Sequence, residues 1–221
     1  MSNEVKTLIG IAVVTIAIVV GAAFLVGGKA SPTAETQPLT EEQTQKLIRE
    51  DSYSKGAKNA KITIVEFGDY QCPACRDTYP IVEQILKEYP NDIKFVFREF
   101  PLPSHQHARL AANAAQAAGA QGKYYDMYGS LYQTQTEWTT TKDPMSLFET
   151  YAKNIGLDVE QFTQDVKDKK YDDKVQEGIN DGYAVGVQAT PTFFINGEYI
   201  RGGLPYDQLK ARIEAILNEG K

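Results

Sequence analysis

The sequence predicts an α/β domain in which a strand–helix–strand unit and a later hairpin form one sheet, with a helical stretch inserted between them. Three observations predict it. Residues 61–67 and 93–100 are almost unbroken runs of apolar and β-favouring residues on either side of one amphipathic segment. Asn196-Gly197 separates two further short runs, which is the strongest two-residue hairpin signal. Between these blocks, residues 105–185 carry helical rather than alternating patterns.

Taken in order, Lys61-Ile62-Thr63-Ile64-Val65-Glu66-Phe67 reads as a buried strand and Gly68-Asp69-Tyr70-Gln71 as a turn. Pro73 then stands where a helix tolerates proline best, at its first position. The helix continues to about Tyr89, with Ile81, Val82, Ile85, Leu86 and Tyr89 on one face and Pro80 inside it, where a kink is expected. Pro90-Asn91-Asp92 ends it, and Ile93 to Phe100 forms the second strand, parallel to the first. Helical candidates follow at Ala108–Ala120, Lys123–Gln133, Pro144–Ile155, Asp158–Lys167 and Tyr171–Val185. The alanine-rich first of these reads as a tightly packed helix, and the acidic run Asp165–Asp173 as a solvated face. His105 and His107 read as ordinary residues leading into this stretch. Trp138 and most of the 13 tyrosines belong to core or rim. Thr192–Ile195 and Glu198–Ile200 form the hairpin, and Pro205 to Leu217 the last amphipathic helix. No internal repeat is present.

The amino terminus has a different character. Leu8 to Val26 is a run of 19 residues without a charge. At ~1.5 Å per residue a helix of this length crosses a hydrocarbon core of ~30 Å. A cleaved signal peptide with a Gly28-Lys29-Ala30 site is the alternative, but its apolar region is usually only ~7–15 residues long. The expected organisation is an N-terminal transmembrane anchor over 1–29, a linker over 30–53, and one domain over 54–221 with its helical insert at about 104–185. A single-pass plasma-membrane protein with an extracytoplasmic catalytic domain follows. The net charge is −6; the first 30 residues hold one glutamate and two lysines, which leaves −7 on the remainder. So acidic a domain argues against a nucleic-acid partner. The linker leaves no room for a dimerisation module, so a monomer is expected.

Only two cysteines exist, Cys72 and Cys75, in one Cys-Pro-Ala-Cys motif behind a strand and at the start of a helix. A thiolate attacks a disulfide where a thiol does so poorly. The unpaired N–H groups and partial positive charge of a helix amino terminus lower a thiol pKa from ~8.5 into the range ~3.5–7.5. Cys72 takes the attacking role, and Cys75, one turn on, resolves the mixed disulfide. The competing reading is a zinc site of Cys72, Cys75, His105 and His107, but His-x-His departs from the usual ligand spacing of zinc modules.

Residues 62–75, from Ile62 through Glu66-Phe67-Gly68-Asp69-Tyr70-Gln71 to Cys72-Pro73-Ala74-Cys75, resemble the active-site stretch of DsbA-like proteins of the thioredoxin superfamily. Residues 95–102, 121–127 and 187–197 resemble the following strand, the insert and the proline loop of that group, in order, so the likeness covers roughly 54–219. It implies a thioredoxin-like fold with a helical insertion. It also implies a cis Thr190–Pro191 bond facing the cysteines, with the Thr190 backbone offered to a substrate strand. Glu66 becomes a buried carboxyl that shuttles the Cys75 proton; its alternation with Ile62 and Ile64 also favours burial. Pro80 matches the kink proline of thioredoxin-like helices. The catalytic expectation is therefore Cys72, Cys75 and Glu66, the substrate-binding expectation Thr190 and Pro191, with no metal and no cofactor beyond the Cys72–Cys75 disulfide. One departure stands out. Ala74 occupies the place of the histidine in strongly oxidising Cys-Pro-His-Cys centres, so the potential should lie below the ~−120 mV of the strongest oxidants.

The expected function is a dithiol oxidase that forms disulfides in exported, cysteine-containing proteins and is reoxidised by a membrane partner of the DsbB or vitamin K epoxide reductase type. A reductase or isomerase in the same compartment is the nearest alternative, and a non-enzymatic metal-binding or chaperone module a more distant one.

Overall fold

The computed structural model describes residues 39–219. The predicted transmembrane segment lies outside them, and none of the described helices is long and apolar enough to cross a membrane. The elements run α1 (Glu41–Leu47), β1 (Ser54–Gly56), β2 (Ile62–Gly68), α2 (Pro73–Glu88), β3 (Ile93–Glu99), α3 (Ala108–Ala120), α4 (Tyr124–Gln133), α5 (Gln135–Trp138), α6 (Met145–Asn154), α7 (Val159–Lys167), α8 (Asp172–Ala184), β4 (Thr192–Ile195), β5 (Glu198–Arg201) and α9 (Tyr206–Asn218).

The five strands form one sheet in the order β1-β3-β2-β4-β5. Strands β2 and β3 are parallel, as the strand–helix–strand reading requires; β1 and β4 run antiparallel to their neighbours, and β5 to β4. The short β1 was not anticipated. Its last residue, Gly56, has φ +90, and a Cβ there would meet the Ile93 carbonyl at 2.3 Å, so the edge strand closes onto β3 only through a glycine. At the other edge Asn196 and Gly197 both take positive φ, as a hairpin turn matched to strand twist demands.

Side-chain alternation divides the core in two. Ile62 and Ile64 of β2, Phe95 and Phe97 of β3, and Phe193 and Ile195 of β4 face α2 and the helical insertion. Val65, Phe67, Val96 and Phe194 face the other way, against Phe100, Val185, Val187 and Leu47. The buried alanines of α3 let neighbouring helices approach closely, which is the packing expected of that segment. Helix α2 runs through Pro80, which lies on its exposed side and withholds the hydrogen bond the Arg76 carbonyl would accept.

Two expectations change. Residues 40–53, assigned to a linker, are part of the folded unit. Helix α1 is closed at its start by a reciprocal Thr40–Gln43 capping box, and Leu47 lies in the second core. The buried Arg98 donates to the Lys46 and Leu47 carbonyls at 2.9 and 3.0 Å, satisfying the end of α1, and to Asp181 at 2.6 Å. Arg49 grips the same Asp181 with two hydrogen bonds, of 2.6 and 2.8 Å. The acidic run at 165–173 is not simply solvated either: Asp165 is buried and bonded by Lys170 and Tyr171, and Asp172 is held by Arg109.

Candidate active site

The turn after β2 delivers Cys72 as the N-cap of α2, with extended backbone (φ −71, ψ 123) and Pro73 as the first helical residue. An N-cap lies where the free N–H groups of a helix converge. Asp69 builds the turn. Its buried carboxylate accepts from the Gln71 N–H at 2.7 Å, closing an Asx turn, and from the Leu102 N–H at 2.8 Å, and it lies 2.7 Å from His105 Nδ1. The Asp69 carbonyl accepts the Cys72 N–H at 3.0 Å. Asp69 therefore joins the cysteine turn to the loop after β3.

The two cysteines occupy unlike surroundings. The Cys72 thiol is lowered to about 5, first by the Cys75 S–H donated to it, then by Thr190 and by the Cys75 and Ala74 backbone N–H groups, with burial opposing. Its Sγ lies 3.5 Å from the Thr190 carbonyl oxygen. The Thr190 hydroxyl is buried and has no hydrogen-bond partner. Cys75 is fully buried, and burial above all pushes its thiol well up, helped by Cys72 and by the Glu66 charge. Glu66 lies on the same strand face as Ile62 and Ile64, 1% exposed, with neither carboxyl oxygen hydrogen-bonded. Burial, then the Cys72 charge, raises it to about 8. At neutral pH the centre thus holds a thiolate at Cys72, a thiol at Cys75 and a neutral carboxylic acid at Glu66.

The Thr190–Pro191 bond is cis. The loop before β4 is fixed by the Thr192 hydroxyl on the Ala189 carbonyl (2.7 Å) and the Gly202 N–H on the Pro191 carbonyl (3.0 Å). Cys72, Cys75, Glu66 and Thr190-Pro191 are thus brought to one end of the sheet. The histidines go elsewhere: His105 onto Asp69, and His107 Nε2 onto the Thr141 carbonyl at 3.0 Å. Among the described residues no three His, Cys, Asp or Glu side chains are gathered as metal ligands. In the sequence alone Asp69 reads as a plain turn residue and His105 as an ordinary residue leading into the helical stretch. The legible signal was an aspartate two positions before Gln71 in a tight turn, which marks side-chain-to-backbone bonding.

With this geometry in hand, the comparisons with known proteins fall into place. The thioredoxin family model matches residues 49–215. The chain belongs to the thioredoxin family. Among solved structures it is similar to a thioredoxin-like oxidoreductase from Silicibacter pomeroyi, with 26% identity and a TM-score of 0.67 over 77% of this chain and 95% of that one. It shares its fold with the thiol-disulfide exchange protein α-DsbA2 of Wolbachia pipientis, at 21% identity and a TM-score of 0.69, over 79% of this chain and 92% of that one. It has the thioredoxin fold in the form shared with α-DsbA2, in which helices are inserted between β3 and β4. Among curated proteins it is 34% identical over 160 residues to the Na(+)/H(+) antiporter NhaA 1 of Salinispora arenicola, covering 72% of this chain and 24% of that protein. The chain thus spans about a quarter of the length of the curated relatives it matches.

Proposed function

We propose that this thioredoxin-family protein is an extracytoplasmic dithiol oxidase that forms disulfides in exported proteins. The observation that carries the reading is the contrast within the centre: Cys72 is held as a thiolate while Cys75 is held as a thiol. A thiolate stabilised in the dithiol form is a good leaving group and makes the disulfide form a better oxidant. In the forward direction a substrate thiolate attacks Cys72 Sγ of the Cys72–Cys75 disulfide. Cys75 leaves and takes the proton of Glu66. A second substrate thiolate then attacks the substrate sulfur of the mixed disulfide and expels the Cys72 thiolate. Two electrons pass from the substrate dithiol to the enzyme. A membrane oxidant of the DsbB or vitamin K epoxide reductase type would return the centre to its disulfide. The Thr190 backbone, beside Cys72 Sγ, would pair with the substrate strand.

The location rests on the apolar run at Leu8–Val26 and agrees with the matched region forming part of proteins named as antiporters. A reductase or isomerase is favoured by one observation, Ala74, which withholds a cation from the Cys72 thiolate. The test is the Cys72–Cys75 potential, together with activity on a reduced and on a scrambled substrate. Net oxidation of the reduced substrate, with a potential above the glutathione couple and below ~−120 mV, supports the oxidase. Reshuffling without net oxidation, or a potential near that of thioredoxin (~−270 mV), overturns it.

A further inference from the structure

Gln135 opens α5, a helix of only four residues inside the insertion. It stands 63 positions beyond Cys72, yet its side chain reaches the cysteine turn. The Nε2 amide donates to the Tyr70 carbonyl at 2.7 Å and to the Cys72 carbonyl at 2.9 Å. The residue is 3% exposed, so water does not compete for these bonds. The Cys72 carbonyl is also the N-cap carbonyl of α2 and accepts the Arg76 N–H at 3.1 Å. One amide group therefore grips the Tyr70–Gln71 and Cys72–Pro73 peptide planes.

We propose that Gln135 is a positioning residue for the dithiol centre: by holding the Tyr70 and Cys72 carbonyls, it fixes the backbone from which the Cys72 sulfur and its N–H donors are presented to each other. The inference rests on Cys72 being the attacking thiolate. Ala74 supplies no cation, so the Cys72 thiolate depends on the Cys75 S–H, on Thr190 and on the Ala74 and Cys75 backbone N–H groups. Such bonds weaken steeply when donor and acceptor fall out of line. The line is set by the torsions at Cys72, and those are set by where its carbonyl is held. A side chain that merely filled space or satisfied two buried carbonyls would contribute stability without tuning the sulfur.

The experiment compares the wild-type protein with Gln135→Met, which keeps the volume and removes both donors, and Gln135→Glu, which keeps the shape and adds an acceptor facing two carbonyls. Asn113→Leu is the control, since Asn113 is a buried amide of the same insertion that bonds Arg109 and Asp172 and does not touch the turn. The Cys72 midpoint is read from thiolate absorbance and from the rate of iodoacetamide alkylation. Gln135→Met should raise the midpoint by about one pH unit, which reads as roughly tenfold slower alkylation below the midpoint. It should also shift the equilibrium against glutathione about tenfold away from the dithiol form. Gln135→Glu should do more, and Asn113→Leu should lower the melting temperature while leaving both readings in place. Folded Gln135 variants with the wild-type midpoint and equilibrium overturn the proposal.

Should neither variant fold, the Gln135 side-chain amide protons of the wild-type protein decide by nuclear magnetic resonance. Slow exchange with water and a shift on formation of the Cys72–Cys75 disulfide support the positioning role; fast exchange with no redox-dependent shift overturns it. An ordinary Cys72 midpoint in the wild-type protein would sink the thiolate reading itself, a result distinct from failure of the Gln135 inference.

Discussion

Replacing Glu66 with glutamine removes a buried titration and leaves the strand in place. In the folded chain the Glu66 carboxyl titrates at about 8 instead of the ordinary 4.5, mainly because burial penalises its charge. An acid whose pKa is raised on folding leaves stability whole below its unfolded pKa and drains it as pH climbs towards the folded value. The loss therefore begins at about pH 4.5 and is complete above about pH 8. At ~1.4 kcal/mol for each pH unit in that window, the ceiling is about 5 kcal/mol. The Cys72 charge is the smaller of the two causes and is absent from the disulfide form, so about 2–4 kcal/mol is expected there. The disulfide form is also the right state to measure. In the dithiol form Cys72, lowered from 9.0 to about 5, acts in the opposite sense: its stabilisation is full above the unfolded pKa and is lost as pH falls through the folded one. Urea unfolding of the oxidised wild type and of Glu66→Gln across this pH range provides the assay. The wild type should lose stability relative to the variant as pH rises. Parallel curves would refute the burial of an ionisable carboxyl. In single turnover the variant, lacking the acid, should slow release of Cys75 by about 10²-fold, the lower end of what a positioned proton donor supplies.

Three further outcomes are expected. Cys72→Ser should abolish exchange while Cys75→Ser accumulates a mixed disulfide with substrate, seen on non-reducing gels; turnover in Cys72→Ser would reverse the assignment. The potential should fall by about 30 mV per pH unit above the Cys72 midpoint of about 5, where reduction takes up one proton, and by about 60 mV below it, where it takes up two; a single slope across pH 5 would show that Cys72 is not a stabilised thiolate. Asp181→Ala leaves the buried Arg98 with only the α1 carbonyls and should cost about 3 kcal/mol, read as a fall in Tm of several degrees with the Cys72 reactivity unchanged.

What the sequence showed and what it hid divide along physical lines. Strand β2, helix α2 and the hairpin were legible because their periodicity and turn residues are local signals. Glu66 was legible because a carboxylate in an apolar strand is conspicuous. Strand β1 has only three residues and no apolar pattern, so nothing local marks it. Residues 40–53 look polar and linker-like because their binding to the domain is carried by Arg49, whose partner Asp181 lies 132 positions away, and by Arg98, which caps the end of α1. The same holds for Gln135 and for the second bond of Asp69, to the Leu102 N–H: each acts on a backbone group of a segment distant in sequence, and no spacing rule reaches that far.

Those long-range bonds bear on the direction of exchange. With histidine between the cysteines, a side-chain cation could stabilise the thiolate whatever the fine geometry of the turn. With Ala74 that device is gone, yet Cys72 still lies far below Cys75, because its donors are backbone N–H groups and the neighbouring thiol. Backbone donors act only if they are aimed. Asp69 aims them from within the turn, anchored to the loop after β3, and on the proposed role Gln135 does so from the insertion. On the proposed oxidase reading, the oxidising tendency then depends on how the insertion is docked on the turn as well as on the residue between the cysteines. Substitutions that loosen that docking should shift the centre towards reduction chemistry while leaving the Cys-Pro-Ala-Cys motif untouched.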